Sequence, residues 1–87
     1  MKVTRARFDQ ACEAVWSEIQ YQNELPIRTE ENEAKEPAAF ATLGRVYLRR
    51  LEEAWSNDAG IEAALPFLRK LAAIFTRGMI YSGIRYR

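Results

Sequence analysis

The stretch IEAALPFLRKLAAIFTRGMIYSGI, residues 61–84, is the longest apolar segment of the chain and predicts its last helix. At 100° per residue, one line of that helix is formed by Ile61, Leu65, Leu68, Ala72, Phe75 and Met79. Further apolar residues widen this line to roughly half of the circumference, more than the stripe of about 100° that suits packing on one side. We therefore expect this helix to have partners on two sides.

The flanks of this helix carry two candidate surfaces. The apolar flank predicts an interface for self-association, formed by Phe67, Leu71, Ile74 and Gly78. The basic and aromatic flank predicts a ligand site, formed by Arg69, Lys70, Arg77, Tyr81 and Arg85. Guanidinium groups donate paired hydrogen bonds to phosphates and carboxylates, and tyrosine adds a stacking surface. The expected ligand is a nucleotide-like anion or the acidic surface of a partner protein. The alternative is that these side chains only solvate an apolar helix.

The composition predicts one small domain with a thin core. The chain has 87 residues, of which 48% are hydrophobic, and domains of this size bury only about 60% of their extended surface. Association into a homo-oligomer would compensate for the missing core.

Several function classes are disfavoured by the residues that the chain lacks. It has no histidine, which removes the commonest general base and the commonest zinc ligand. Cys12 is its single cysteine, so no intrachain disulfide can form, and we expect this thiol to be buried in a cytosolic protein. Charges at Arg69, Lys70 and Arg77 interrupt the one run long enough for a membrane span.

The net charge of +1 is unevenly distributed. Residues 1–36 carry eight acidic and five basic side chains, a net −3, and residues 37–87 carry four acidic and eight basic ones, a net +4. The second half of the chain can therefore hold an anion. The domain as a whole is not basic enough to favour duplex nucleic acid as a partner.

The first helix is predicted over about residues 4–23, with Thr4 as its cap. Its apolar seam is formed by Phe8, Cys12, Val15 and Ile19, and the residues expected to face solvent are Glu13, Glu18 and Gln20. A polar loop is predicted over residues 26–36. Within it, Glu30 and Glu33 have the spacing of a carboxylate pair on one helix face, but we interpret this acidic run as solvated and predict no metal site.

The second helix is predicted over about residues 37–56, with Gly44 permitting a close helix crossing. Its outer face holds Arg45, Arg49, Arg50, Glu52 and Glu53, among which Arg49 and Glu53 have the spacing of an ion pair. A turn at residues 57–60 predicts that the second helix forms an antiparallel hairpin with the third helix, residues 60–83. Because proline disfavours a helix interior, Pro66 could move the start of the third helix toward Leu65. The large aromatic residues expected in the core are Trp16, Tyr21, Tyr47 and Trp55.

Together these elements predict an all-α domain spanning residues 1–87. The two C-terminal helices form an antiparallel hairpin, and the N-terminal helix packs across it.

Two segments also resemble known groups of proteins. The segment EIQYQNELPIRTEENEA and the closing RKLAAIFTRGMIYSGIRYR are similar to small helical phage and prophage proteins of unassigned function. Such proteins often act by binding, and the resemblance implies inhibition or sequestration of a host-defence protein or a signalling nucleotide. The closing helix also looks like the last helix of the MazG-type nucleotide pyrophosphohydrolases. Those enzymes hold magnesium with two acidic pairs, of which only Glu30 and Glu33 match here.

These observations favour a non-enzymatic, cytoplasmic, homo-oligomeric binding protein without a cofactor. One alternative is a magnesium-dependent nucleotide hydrolase that uses Glu30, Glu33 and Glu53. Another is an accessory helical subunit that only docks onto a larger assembly.

Overall fold

The structure, a computed structural model, describes residues 1–26, 36–57 and 60–87. Within these ranges it consists of three helices: α1, Arg5–Asn23; α2, Pro37–Ser56; and α3, Gly60–Ser82. The predicted all-α class is confirmed, and no strand occurs among the described residues.

Each helix begins where the local chemistry favours a helix start. The side-chain oxygen of Thr4 accepts a hydrogen bond of 3.2 Å from the backbone N–H of Arg7, which caps α1. Pro37 occupies the first turn of α2, where a missing N–H costs nothing. Gly60 begins α3 with a φ of 72°, a left-handed conformation that glycine adopts without steric cost.

The prediction that Pro66 shifts the start of α3 toward Leu65 is wrong. The helix begins at Gly60 and continues through Pro66, which lies in its second turn. A proline there removes the hydrogen bond to the carbonyl of Glu62. Ala64 is buried in the same segment, so the turn before Pro66 packs against the rest of the domain.

Two glycines bring α2 and α3 into close contact. A methyl group placed on Gly78 would lie 3.0 Å from Cγ of Phe40, and one placed on Gly44 would lie 2.5 Å from Cζ of Phe75. Each helix therefore inserts a phenylalanine ring against a glycine of the other helix. The predicted close crossing at Gly44 and the antiparallel hairpin are confirmed.

Helix α1 packs on the opposite side of α3. Arg69 and Arg77 of α3 bind side chains of α1, whereas Phe75 and Gly78 of α3 contact α2. At 100° per residue, the mean directions of these two pairs differ by about 170°. Accordingly, α3 lies between the other two helices, and no Cα atom of α1 lies within 8 Å of one of α2.

The core is small for a domain of this length. Its apolar members among the described residues are Ile19, Phe40, Ala64, Leu71, Ala73 and Ile74. The prediction of buried aromatic residues is wrong for Trp16, Tyr21 and Trp55, each of which is more than half exposed, while Tyr47 is half-buried. Cys12 is exposed as well, contrary to expectation. Trp16 and Cys12 are exposed because the backbone of α1 lies close only to that of α3, so most of the α1 seam has no neighbouring helix.

We expect Gly78→Leu to lower the free energy of unfolding by about 2 kcal/mol or more, because a side chain at this crossing displaces Phe40 from the core. Urea unfolding followed by circular dichroism measures the change. Met79→Leu is the matched control, because it introduces leucine at the next position, which is exposed, and leucine has a volume similar to that of methionine. Equal stability of the two variants would contradict the close crossing.

Candidate functional site

The structure does not bring the five predicted ligand residues of α3 together on one free surface. Most of them contact other parts of the chain. Each contact decides whether the side chain remains available to a ligand.

Arg77 lies inside the protein, with 7% of its surface exposed. Its Nη2 donates hydrogen bonds to Oδ1 of Asn23 at 3.1 Å and to Oε1 of Gln22 at 3.4 Å, both in α1. A guanidinium group removed from water needs such polar partners, since an unsatisfied buried charge is strongly destabilising. Arg77 therefore joins α3 to the end of α1, and no ligand can reach it in this arrangement.

Arg69 forms the second part of the same junction. Its Nε donates to Oε1 of Glu18 at 3.0 Å, and the Glu18 side chain is 4% exposed. The other carboxylate oxygen of Glu18 accepts a hydrogen bond of 3.2 Å from Nε2 of Gln22. Glu18 was expected to face solvent, and the structure corrects this. Because α1 lies on the side of α3 that carries arginines, α1 turns its polar residues inward there.

Lys70 contacts an aromatic ring of α2. Its Nζ lies 5.1 Å from the ring centroid of Tyr47, and the guanidinium of Arg50 lies 4.8 Å from the same centroid. Both distances are within the range of cation–π attraction, about 6 Å. Two cations therefore share one tyrosine at the junction between α2 and α3.

The last two predicted ligand residues lie near the end of α3. The ring of Tyr81 stacks on Phe40, with centroids 6.4 Å apart and planes 12° from parallel. Arg85 is exposed beyond the helix, and its Nη1 donates to the carbonyl of Ile84. Arg85 is therefore accessible, but it does not converge with the other four predicted ligand residues.

The residues predicted to form an oligomer interface largely face inward. Leu71, Ile74 and Gly78 are buried within the chain, against its own neighbouring helices. Only Phe67 is partly exposed. Self-association stays a prediction, and these three buried residues are not accessible to a second copy in this arrangement.

One hollow retains part of the predicted ligand site. It has a volume of about 310 Å³, lies between α1 and α3, and is lined by Ser17, Glu18, Tyr21, Pro66, Phe67, Arg69 and Lys70. Arg69 and Lys70 thus do come together beside aromatic rings. The buried carboxylate of Glu18 shares the hollow, so its lining carries a net charge of only +1.

A second hollow lies on the side of α2 that faces away from α3. We call it the α2 outer face; it is lined by Thr42, Arg45, Val46, Arg49, Arg50 and Glu53 and has a volume of about 380 Å³. Three arginines and one glutamate give it a net charge of +2. Within the described residues, no ion pair or hydrogen bond engages the side chain of Arg45 or Arg49, and the predicted pair of Arg49 with Glu53 does not form.

The sequence contained the signal for this face. Its residues recur at intervals of three and four from Thr42 to Glu53, which places them on one stripe of a helix. The sequence predicts that these arginines form an outer face, whereas the predicted ligand site lies on α3 because Lys70, Arg77 and Tyr81 share one side of that helix. Residue spacing alone does not show that α1 would engage the cations of α3.

The remaining site predictions concern acidic residues and metal binding. Glu30 and Glu33, the first half of the MazG-type acidic pattern, lie outside the described residues. Within residues 1–26, 36–57 and 60–87, no group of three or more His, Cys, Asp or Glu side chains is placed to hold a metal ion.

None of the helices in the described ranges is long and apolar enough to cross a membrane. In comparisons with known proteins, no protein family, no curated protein and no solved structure matches the chain. The resemblances to phage proteins and to MazG-type enzymes therefore stay predictions.

If Arg77 holds α1 against α3, Arg77→Ala should lower the free energy of unfolding by about 2–3 kcal/mol, because it leaves the buried Gln22 without this donor. Urea unfolding measures the loss. Arg85→Ala is the control, since an exposed arginine contributes within about 0.5 kcal/mol. If both variants are equally stable, the α1–α3 junction does not depend on Arg77.

Proposed function

We propose that this chain is a non-enzymatic helical binding protein that recognises an acidic surface of a partner protein through the α2 outer face. The observation that supports this proposal best is the pair formed by Arg45 and Arg49. Both are exposed, they lie one helical turn apart, and neither is engaged by another described side chain.

Most of the other cations in the described part of the chain already have partners within it. Arg5 pairs with Asp9 at 3.0 Å, Arg69 and Arg77 bind α1, and Lys70 and Arg50 contact Tyr47. Two like charges spaced by four residues destabilise a helix by a few tenths of a kcal/mol. Arg45 and Arg49 therefore contribute nothing to the stability of the helix as a pair, which favours a role outside the fold.

The shape of this face favours a protein over a small ligand. All of its lining residues belong to one helix, so no second wall encloses a ligand, whereas small-molecule sites are concave and bury most of the ligand. Arginine binds carboxylates in a paired geometry and is enriched in protein interfaces. Val46, which is exposed between the arginines, adds an apolar contact, and Glu53 adds an opposite charge at one end that can fix the orientation of a partner.

A second candidate is a nucleotide-like anion in the hollow between α1 and α3. The observation that favours it is the convergence of Arg69 and Lys70 with the rings of Tyr21 and Phe67. It is the weaker candidate because Arg69 already binds Glu18, and an incoming phosphate would face that buried carboxylate.

The experiment titrates the ¹⁵N-labelled chain with a poly-glutamate peptide and follows amide chemical shifts. We expect shifts concentrated in residues 42–53, weakened by added salt because exposed charges are screened beyond about 8 Å at physiological ionic strength. The double variant Arg45→Ala/Arg49→Ala should weaken binding about tenfold, since two exposed ion pairs of about 0.7 kcal/mol each sum to about 1.4 kcal/mol.

The matched control is Arg85→Ala/Arg87→Ala, which removes the same charge from the exposed segment after α3. Equal losses in the two double variants would mean that poly-glutamate senses only net charge, and the proposal would fail. A parallel titration with ATP separates the second candidate: shifts at Tyr21 and Lys70, lost in Lys70→Ala, would move the site to the α1–α3 hollow.

A further inference from the structure

The line of apolar residues on α3 that predicts the fold is largely uncovered. Five of its members are between 46% and 60% exposed: Ile61, Leu65, Leu68, Phe75 and Met79. At 1.5 Å per residue, the line from Ile61 to Met79 is about 27 Å long. Large apolar patches of this kind are rare on monomeric proteins and mark interaction surfaces.

This line continues into a groove between α1 and α3. The groove has a volume of about 570 Å³, and its walls are almost wholly apolar, with Phe8, Cys12 and Trp16 on α1 facing Thr76, Met79 and Ile80 on α3. Phe8, Trp16 and Ile80 are each more than half exposed. The apolar seam of α1 is thus directed at a space that no part of the described chain fills.

The total exposed area is also too large for a compact monomer. The chain exposes 7290 Å², whereas a compact monomer of 10.1 kDa exposes about 5,300 Å². The difference, about 2,000 Å², exceeds the roughly 800 Å² that one partner hides in an interface of standard size.

We infer that a second copy of this chain covers the groove and the exposed line of α3, so that the protein is a homodimer. A twofold interface needs one patch that complements itself, and a straight apolar line beside an apolar groove meets this requirement. The two copies can place the line of one α3 against the groove of the other. A second copy carries the same line and the same groove, so one twofold interface can bury both apolar surfaces of each chain.

This inference goes beyond the proposed function and does not rest on it. The α2 outer face is lined by other residues. A dimer would present two such faces, and each can be tested separately from the interface.

Multi-angle light scattering of the full chain at micromolar concentration should give a mass of about 20 kDa, twice 10.1 kDa.

Leu68→Glu and Met79→Glu should each raise the dimer dissociation constant about a hundredfold or more, because an unpaired charge is costly in an apolar interface. Leu48→Glu, at an apolar site of similar exposure on α2 that lies outside the α2 outer face, is the control and should leave the dimer intact. Circular dichroism checks helix content; if a glutamate variant unfolds, Leu68→Ala and Met79→Ala provide the same test with a smaller effect.

Cys12 gives an independent readout, because it is the single cysteine and lines the groove. Its reaction with a thiol reagent should slow as the protein concentration rises, and should become fast in Leu68→Glu. A monomer throughout the micromolar range would overturn the inference. So would a dimer in which Cys12 reacts at the monomer rate and Leu68→Glu has no effect, since the interface would then lie elsewhere.

Discussion

The structure depends on how α3 satisfies an apolar surface that is wider than either neighbouring helix can cover. α2 covers one side, where the paired contacts of Phe40 with Gly78 and of Phe75 with Gly44 set the distance between the helices. α1 covers the opposite side. Neither helix fully covers the line from Ile61 to Met79, whose large members are about half exposed although Phe75 packs on Gly44. An apolar surface of α3 therefore faces outward. Burial of apolar area is the main favourable term in folding, and here it is only partly used within one chain.

The two sides of α3 are held by different chemistry. The contact with α2 is apolar and close, and the contact with α1 includes a polar network of Arg69, Glu18, Gln22 and Arg77. A buried polar network adds little net stability, but each member requires its partner. Such a network can fix the position of α1 along α3, as a hypothesis for this protein, because sliding the helix would leave charges unpaired. Arg69 and Arg77, which the sequence predicts as ligand residues, therefore have a structural role, because they hold α1 against α3.

The helices and the hairpin could be predicted because their causes are local. The apolar repeat, Pro37 and the short turn before Gly60 act within a few residues, and Gly44 marks a crossing wherever a second helix is available. The exposure of Trp16 and the burial of Glu18 could not be predicted, since both depend on which side of α1 meets α3. The same limit applies to the site: Arg77 and Arg45 have similar neighbours in sequence, and only the position of α1 separates a structural arginine from an available one.

The one-sided attachment of α1 has a consequence for the order in which the molecule opens. α2 and α3 are neighbours in sequence, with only three residues between them, whereas the contacts of α1 with α3 span more than 50 residues. Contacts of short sequence separation form early in folding and open late, and regions with fewer buried contacts open at lower free energy. The hairpin is therefore the persistent unit, and α1 is the part that detaches first. Its amide protons would exchange with solvent while those of the hairpin remain protected, and the seam carrying Phe8 and Trp16 would then be free to pack against another chain.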